Sequence, residues 1–202
     1  MARASLDTLS RAAKAIIAGT HYWVATVKVD TGDGTALTAG KVLYYDSSES
    51  NYKLYSTTDV SDETLDTGDG STKVFEGFAA HGLIERGSFT VTATIGGSDV
   101  TLSDDGNGKL ADSGGNHKGY IDYDSGYYRL EFGTAPDNGE AITADYTYRA
   151  GKAAAILLED VPASESNYPA AVLVWGVANS DNVSPTVDAA IKEDLKGSIV
   201  FV

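Results

Sequence analysis

Two short apolar runs in the C-terminal third constrain this chain most: Ala153-Ala-Ala-Ile-Leu-Leu158 and Ala170-Ala-Val-Leu-Val-Trp-Gly-Val177. Each falls far short of the roughly 20 apolar residues of a membrane helix, so both read as strands. They resume a fold that the N-terminal third begins, and a block of different character lies between. One domain is therefore interrupted by another, and 202 residues suffice for two small domains.

Turn signals recur about every ten residues, which predicts a mainly β chain. In the first piece, Tyr22 to Val29 alternates as a strand with Trp23, Ala25, Val27 and Val29 on one face, and Val42 to Tyr45 pairs with Tyr52 to Tyr55 as a hairpin. The pattern dissolves over residues 56–62. A second series of strands follows at Lys73 to Phe78, Ser88 to Ile95, Asp99 to Ser103, Lys118 to Tyr123, Tyr127 to Phe132 and Ala141 to Tyr148. Their clean alternation predicts one buried and one wet face, and Gly96-Gly97 has the form of a two-residue hairpin turn. A β-sandwich fits these signals. Near the C-terminus, Ser184-Pro185 reads as a helix start, with Val187, Ala190, Ile191 and Leu195 as its apolar stripe and Gly197 as its end. The terminal Ile199-Val-Phe-Val202 is an apolar strand that must pair with something.

Charge separates the pieces further. Residues 63–150 hold fifteen acidic and six basic side chains, a net of −9 out of −14 for the chain, which marks that block as a solvent-facing lobe. Such acidity argues against nucleic acid, whose binding draws on Lys and Arg at phosphates. Cysteine is absent, so no disulfide or thiolate metal site braces the fold. The one basic stretch is residues 1–20, where Leu6, Leu9, Ala13, Ile16 and Ile17 recur at helical spacing beside Arg3, Arg11 and Lys14. Two readings stay open for it: a helix packed on its own domain, or an arm that docks on a partner.

No catalytic constellation stands out, and neither a cofactor nor a metal is expected. The acidic glycine-rich loops Thr31-Gly-Asp-Gly-Thr35, Thr67-Gly-Asp-Gly-Ser71 and Asp104-Asp-Gly-Asn-Gly108 lack the ordered ligand series of an EF-hand, and Asp-Gly is what tight turns use. The three histidines, His21, His81 and His117, show no zinc-helix spacing. A hydrolase would need a carboxylate pair defined in space. Tyr120, Tyr123, Tyr127 and Arg129 are the best candidates for a ligand contact in the inserted block. Tyr128, Leu130 and Phe132 share the opposite, core-facing parity.

Residues 21–60 with 151–202 resemble the lambda-like bacteriophage head decoration proteins. The likeness lies in Leu37-Thr-Ala-Gly-Lys-Val-Leu43, Tyr44-Tyr-Asp-Ser-Ser48 with Tyr52-Lys-Leu54, Ala155-Ile-Leu-Leu-Glu-Asp-Val161, Ala171-Val-Leu-Val-Trp-Gly176 and the ending Lys196-Gly-Ser-Ile-Val-Phe-Val202. The insert resembles a β-sandwich module recurrent in phage structural proteins, through Glu63 to Lys73, Gly87 to Ala93 and Gly119 to Phe132. The resemblance implies a small β-tulip-like domain with a short C-terminal helix, interrupted by an Ig-like β-sandwich and preceded by an N-terminal helix or arm. The expected layout is an arm at 1–20, a discontinuous capsid-binding domain at 21–62 and 151–202, and an insert at 63–150. It further implies a non-enzymatic homotrimer on the outer surface of the virion, bound to the major capsid protein. Arg3, Leu6, Leu9, Arg11, Lys14, Ile16 and Ile17 would then form the capsid-binding arm. The alternative is a surface-displayed module in which the insert binds a host-surface glycan or receptor; no membrane or nucleic-acid partner is expected.

Overall fold

The computed structural model describes residues 10–32 and 34–202. The chain is mainly β, with a short C-terminal helix. It divides into two compact units: unit 1 comprises the residues up to Ser56 together with Gly151–Val202, and unit 2 is Thr57–Ala150. This boundary comes earlier than the junction expected at residue 63.

Unit 1 is a closed ring of strands. β1 (Trp23–Val29), β2 (Val42–Asp46), β3 (Asn51–Leu54), β12 (Ala153–Leu157) and β13 (Tyr168–Ala178) bond in the order β1-β3-β2-β12-β13, and β13 returns to β1. Val29 pairs with Tyr52 to close the β1/β3 seam. β14 (Ile199–Phe201) adds to the far half of β13 as a parallel strand and is the last strand of the sheet among the described residues. Strand parity sorts the apolar residues into two cores. Val29, Leu43, Ala155, Leu157, Ala170 and Val172 fill the ring, with Leu37 and Val161 beside them. The alternate residues Val42, Ile156 and Leu173 face outward and are covered by α1 (Arg11–Ile16), α2 (Ala189–Asp194) and β14. Strands buried on both faces have no polar parity, which explains why β12 and β13 are almost continuously apolar.

α2 starts at Ala189, where Asp188 caps the Ile191 N–H at 2.8 Å, and not at the Ser184-Pro185 expected from sequence. The competing force is pairing: Ser184 donates its N–H to Gly40 and accepts from Val42, so its backbone bridges to the ring.

Unit 2 joins eight strands in a single sheet of order β4-β11-β6-β7-β8-β9-β10-β5. These are β4 (Thr57–Thr67), β5 (Val74–Phe78), β6 (Thr90–Ile95), β7 (Ser98–Asp104), β8 (Lys109–Ala111), β9 (His117–Ile121), β10 (Tyr127–Glu131) and β11 (Ala141–Arg149). The sheet curls around one core, with Phe75, Phe89, Leu102, Leu110, Leu130, Ile142 and Tyr146 among its buried members. Sequence periodicity missed β4, which extends the sheet beyond β11, and β8, which joins β7 to β9 and so makes the sheet continuous. β4 is an edge strand that packs only Val60 and Leu65 on the core, and irregular register against β11 accompanies Asp62 at φ 54°.

Candidate functional site

The arm expected at the N-terminus is only partly within view. Arg3, Leu6 and Leu9 lie outside the described residues. Arg11 and Lys14 are exposed on α1, whose first turn is capped by the Ser10 hydroxyl accepting from the Ala13 N–H at 3.1 Å. Ile16 and Ile17, by contrast, are 2% and 6% exposed and belong to the outer core of unit 1. Ala18 donates to Val177, Asn179 donates to Ile16, and the Asn182 amide donates to Ala15. The helix is thus stitched to the end of β13, and Ile16 and Ile17 are not free to anchor a partner.

Just beyond this stitch, unit 1 exposes its two tryptophans. Trp23 and Trp175 are cross-strand partners with ring centroids 5.9 Å apart, and they are 54% and 41% exposed. Simple alternation puts Trp23 on the same face as Val27 and Val29, but the register shifts between Trp23 and Val24. The irregularity turns the indole outward, the usual effect of a bulge. Beside Trp175 lies a groove of about 470 Å³ lined by Gly19, Thr20, His21, Gly176, Val177, Gly197, Ser198 and Val200. Gly176 holds φ 140°, and a Cβ there would come 2.9 Å from that of Tyr22, so a larger residue would push the lining apart. β14 flanks the groove with Val200 59% exposed, and Val202 follows at 66%. The terminal strand pairs with β13 on one side, and among the described residues no strand pairs with its other side. Sequence reading identified neither tryptophan as a site residue, and the near-continuous apolar run of β13 holds no local signal that Trp175 is exposed while Val172 and Leu173 are buried.

Unit 2 carries a second aromatic surface. On β10, Tyr128 and Leu130 point into the core at 2% and 0% exposure, which leaves Tyr127, Arg129 and Glu131 on the outer face. Antiparallel register puts Phe78 opposite Tyr127 and Glu76 opposite Arg129, while Tyr120 of β9 also pairs with Arg129. Phe78 and Tyr127 have ring centroids 5.3 Å apart, and Tyr127 and Tyr120 are 6.0 Å apart. β9 approaches β10 closely at Gly119, φ 147°, where a Cβ would collide with the Arg129 carbonyl. The Tyr127 hydroxyl donates to Glu76 at 3.2 Å. Burial, with bonding to Tyr120 and Glu76, pushes its pKa up to about 12, so it remains a neutral donor at ordinary pH.

Of the four residues expected here, three share this face and one does not. Tyr123 is 9% exposed, and its hydroxyl donates to Asp104 at 2.8 Å while accepting from the Gly108 N–H at 2.7 Å. Burial and the Asp104 carboxylate both raise its pKa. Tyr123 is a core residue bonded into a turn, and Phe78, at 67% exposure, takes its place in the aromatic cluster. Sequence reading did not single out Phe78; its shared parity with Glu76, opposite to Phe75, was the signal that could have found it.

In the loops at 67–71 and 104–108 carboxylates accept from nearby backbone N–H groups, as Asp105 does from Asn107, while Asp33 of the loop at 31–35 lies outside the described residues. Asp69 accepts from the N–H groups of Ser71 and Thr72 and from the Thr72 hydroxyl, and Asp137 accepts from both Gly96 and Gly97 in the β6/β7 turn. These bonds hold both carboxyls below the usual aspartate range. Among the described residues, no three His, Cys, Asp or Glu side chains are grouped to hold a metal ion, and no helix is long and apolar enough to cross a membrane. No protein-family model, curated protein or solved structure matches this chain.

Proposed function

We propose that this chain is a structural decoration protein of an icosahedral phage head, in which unit 1 docks on the major capsid protein at the outer surface and unit 2 is displayed from it. The observation that carries the reading is the tryptophan groove beside the apolar strand β14, whose outer side has no strand partner among the described residues. Contiguous exposed apolar surface marks a site that another protein covers, and an open strand edge offers unpaired N–H and C=O groups for the same contact. The order of the outer segments and the ending in a helix and strand support the phage context through the resemblance given above. Arg11 and Lys14 add exposed positive charge to a chain of net −14.

The mechanism is mass action. A protein that binds the assembled shell and not its dissociated subunits stabilises the shell by RT ln(1 + [L]/Kd). Homotrimers would bind several capsid subunits at once and so remain bound longer than single copies. Expanded heads stripped of this protein supply the test in a co-sedimentation titration. The native chain saturates the heads, whereas the Trp23→Ser/Trp175→Ser double variant binds at least about tenfold more weakly, as loss of aromatic anchors requires. Unchanged binding by the folded double variant would overturn the assignment of the groove. Failure of the native chain to bind any head would overturn the decoration role itself.

A further inference from the structure

Phe78, Tyr127 and Tyr120 form a row of three rings across β5, β10 and β9, with successive centroids 5.3 and 6.0 Å apart. Nothing in the packing of unit 2 requires this: Phe78 is 67% exposed and Tyr120 is 41% exposed, far outside the core. The row is flanked by groups already held in place. Arg129 is ion-paired with Glu131, its Nε lies 3.9 Å from Glu76, and Glu76 accepts from Tyr127. Fixed side chains lose little conformational freedom when a ligand arrives.

We propose that this row binds an uncharged glycan chain whose successive sugar rings are rotated relative to one another. Three features select that ligand. The apolar faces of pyranose rings stack on aromatic rings, and the row spans only a few sugars, whereas a stable protein interface buries about 1,200 Å² or more. Glu76 and Glu131 border the row within a block of net −9, so an anionic glycan, phosphate or nucleic acid meets repulsion, while sugar hydroxyls find carboxylate acceptors and a guanidinium donor. The rings are not coplanar: Phe78 and Tyr127 meet at 64°, and Tyr127 and Tyr120 at 45°. A flat ribbon glycan cannot stack on all three, but a helically twisted chain presents each ring at a new angle. The proposal does not depend on the decoration role of unit 1.

The full chain, titrated with maltohexaose as a twisted neutral glycan, cellohexaose as a flat one and a heparin hexasaccharide as an anionic one, tests this by NMR. Saturable shifts centred on residues 78, 120 and 127 are expected with maltohexaose at millimolar concentration. Binding of the other two is expected to be at least about tenfold weaker, a difference of one power of ten in Kd. Phe78→Ala and Tyr127→Ala should each weaken maltohexaose binding by a similar factor. Phe78→Tyr, which keeps the ring, should retain it, and Trp23→Ser should leave it unchanged. The proposal is overturned by no saturable binding of maltohexaose, by equal or tighter binding of either comparison glycan, or by undiminished binding in a folded Phe78→Ala chain.

Discussion

The two units solve the same problem differently. Unit 1 buries both faces of β12 and β13, one inside the ring and one beneath α1, α2 and β14, while unit 2 buries one face of each strand and leaves the other to solvent. Two-sided burial gives unit 1 a dense core but uses up polar parity on β12 and β13, so β13 presents a large side chain to solvent only where cover stops, at Trp175. One-sided burial gives unit 2 a whole outer face on which Thr, Glu, Arg and Tyr alternate with core residues. The difference shows that the number of faces a strand hides decides where a unit can present side chains to solvent.

The largest expected effect tests the two-sided core. Ile156 is fully buried on the outward parity of β12, so Ile156→Asp places an unpaired charge in that core. It should cost more than about 4 kcal/mol and unfold unit 1. The matching outward change in unit 2, Thr92→Asp on β6, should alter stability by about 0.5 kcal/mol or less. Equal costs in a urea titration would erase the distinction between the units.

A middle-sized effect tests the polar turn beneath the unit 2 core. Asp104 accepts from the Tyr123 hydroxyl and from the N–H groups of Gly87 and Gly106. Asp104→Ala leaves these donors without their partner and should cost unit 2 about 1–3 kcal/mol in the same titration. The unit 1 transition should not move.

The smallest effects are those of pH. Tyr123, Tyr128 and Tyr146 have raised pKa values, chiefly through burial, with Asp104 adding to the first and Glu63 to the last. A raised folded value means that the native state binds more protons. The stability these tyrosines contribute is therefore fully present below about pH 10 and is lost as pH rises through the folded values. The carboxyls of Asp69, Asp105, Asp112 and Asp137 are lowered, mainly by backbone N–H bonds. Their contribution is present above about pH 3.9 and is lost as pH falls through the depressed values. Thermal melts across pH should show unit 2 weakening at both extremes, and Tyr123→Phe should flatten the alkaline limb.

Legibility in the sequence followed the same division. Alternation revealed β6, β10 and β11, and Gly96-Gly97 marked the β6/β7 turn, because one-sided burial writes a period of two into the chain. The apolar runs of β12 and β13 were legible as strands but did not say which residues face the ring. Polar β4 and three-residue β8 were invisible because they bury too little apolar surface to leave a pattern; β4 extends the sheet at β11, and β8 links β7 to β9 so that all eight strands form one sheet. Trp23 and Tyr123 were misplaced for long-range reasons. A register shift against β13 turns Trp23 outward, and a carboxylate on a different strand holds Tyr123 inward. Local spacing contains neither fact.

The central claim is that unit 1 is the docking domain and unit 2 the displayed lobe. A cryo-EM image of stripped, expanded heads re-bound with this protein tests it most directly. The account predicts threefold-arranged density in which unit 1 meets the shell through the face bearing Trp23, Trp175 and β14, with unit 2 making no shell contact. Density that places the Phe78–Tyr127–Tyr120 face of unit 2 against the capsid, with the tryptophan groove open to solvent, would contradict it.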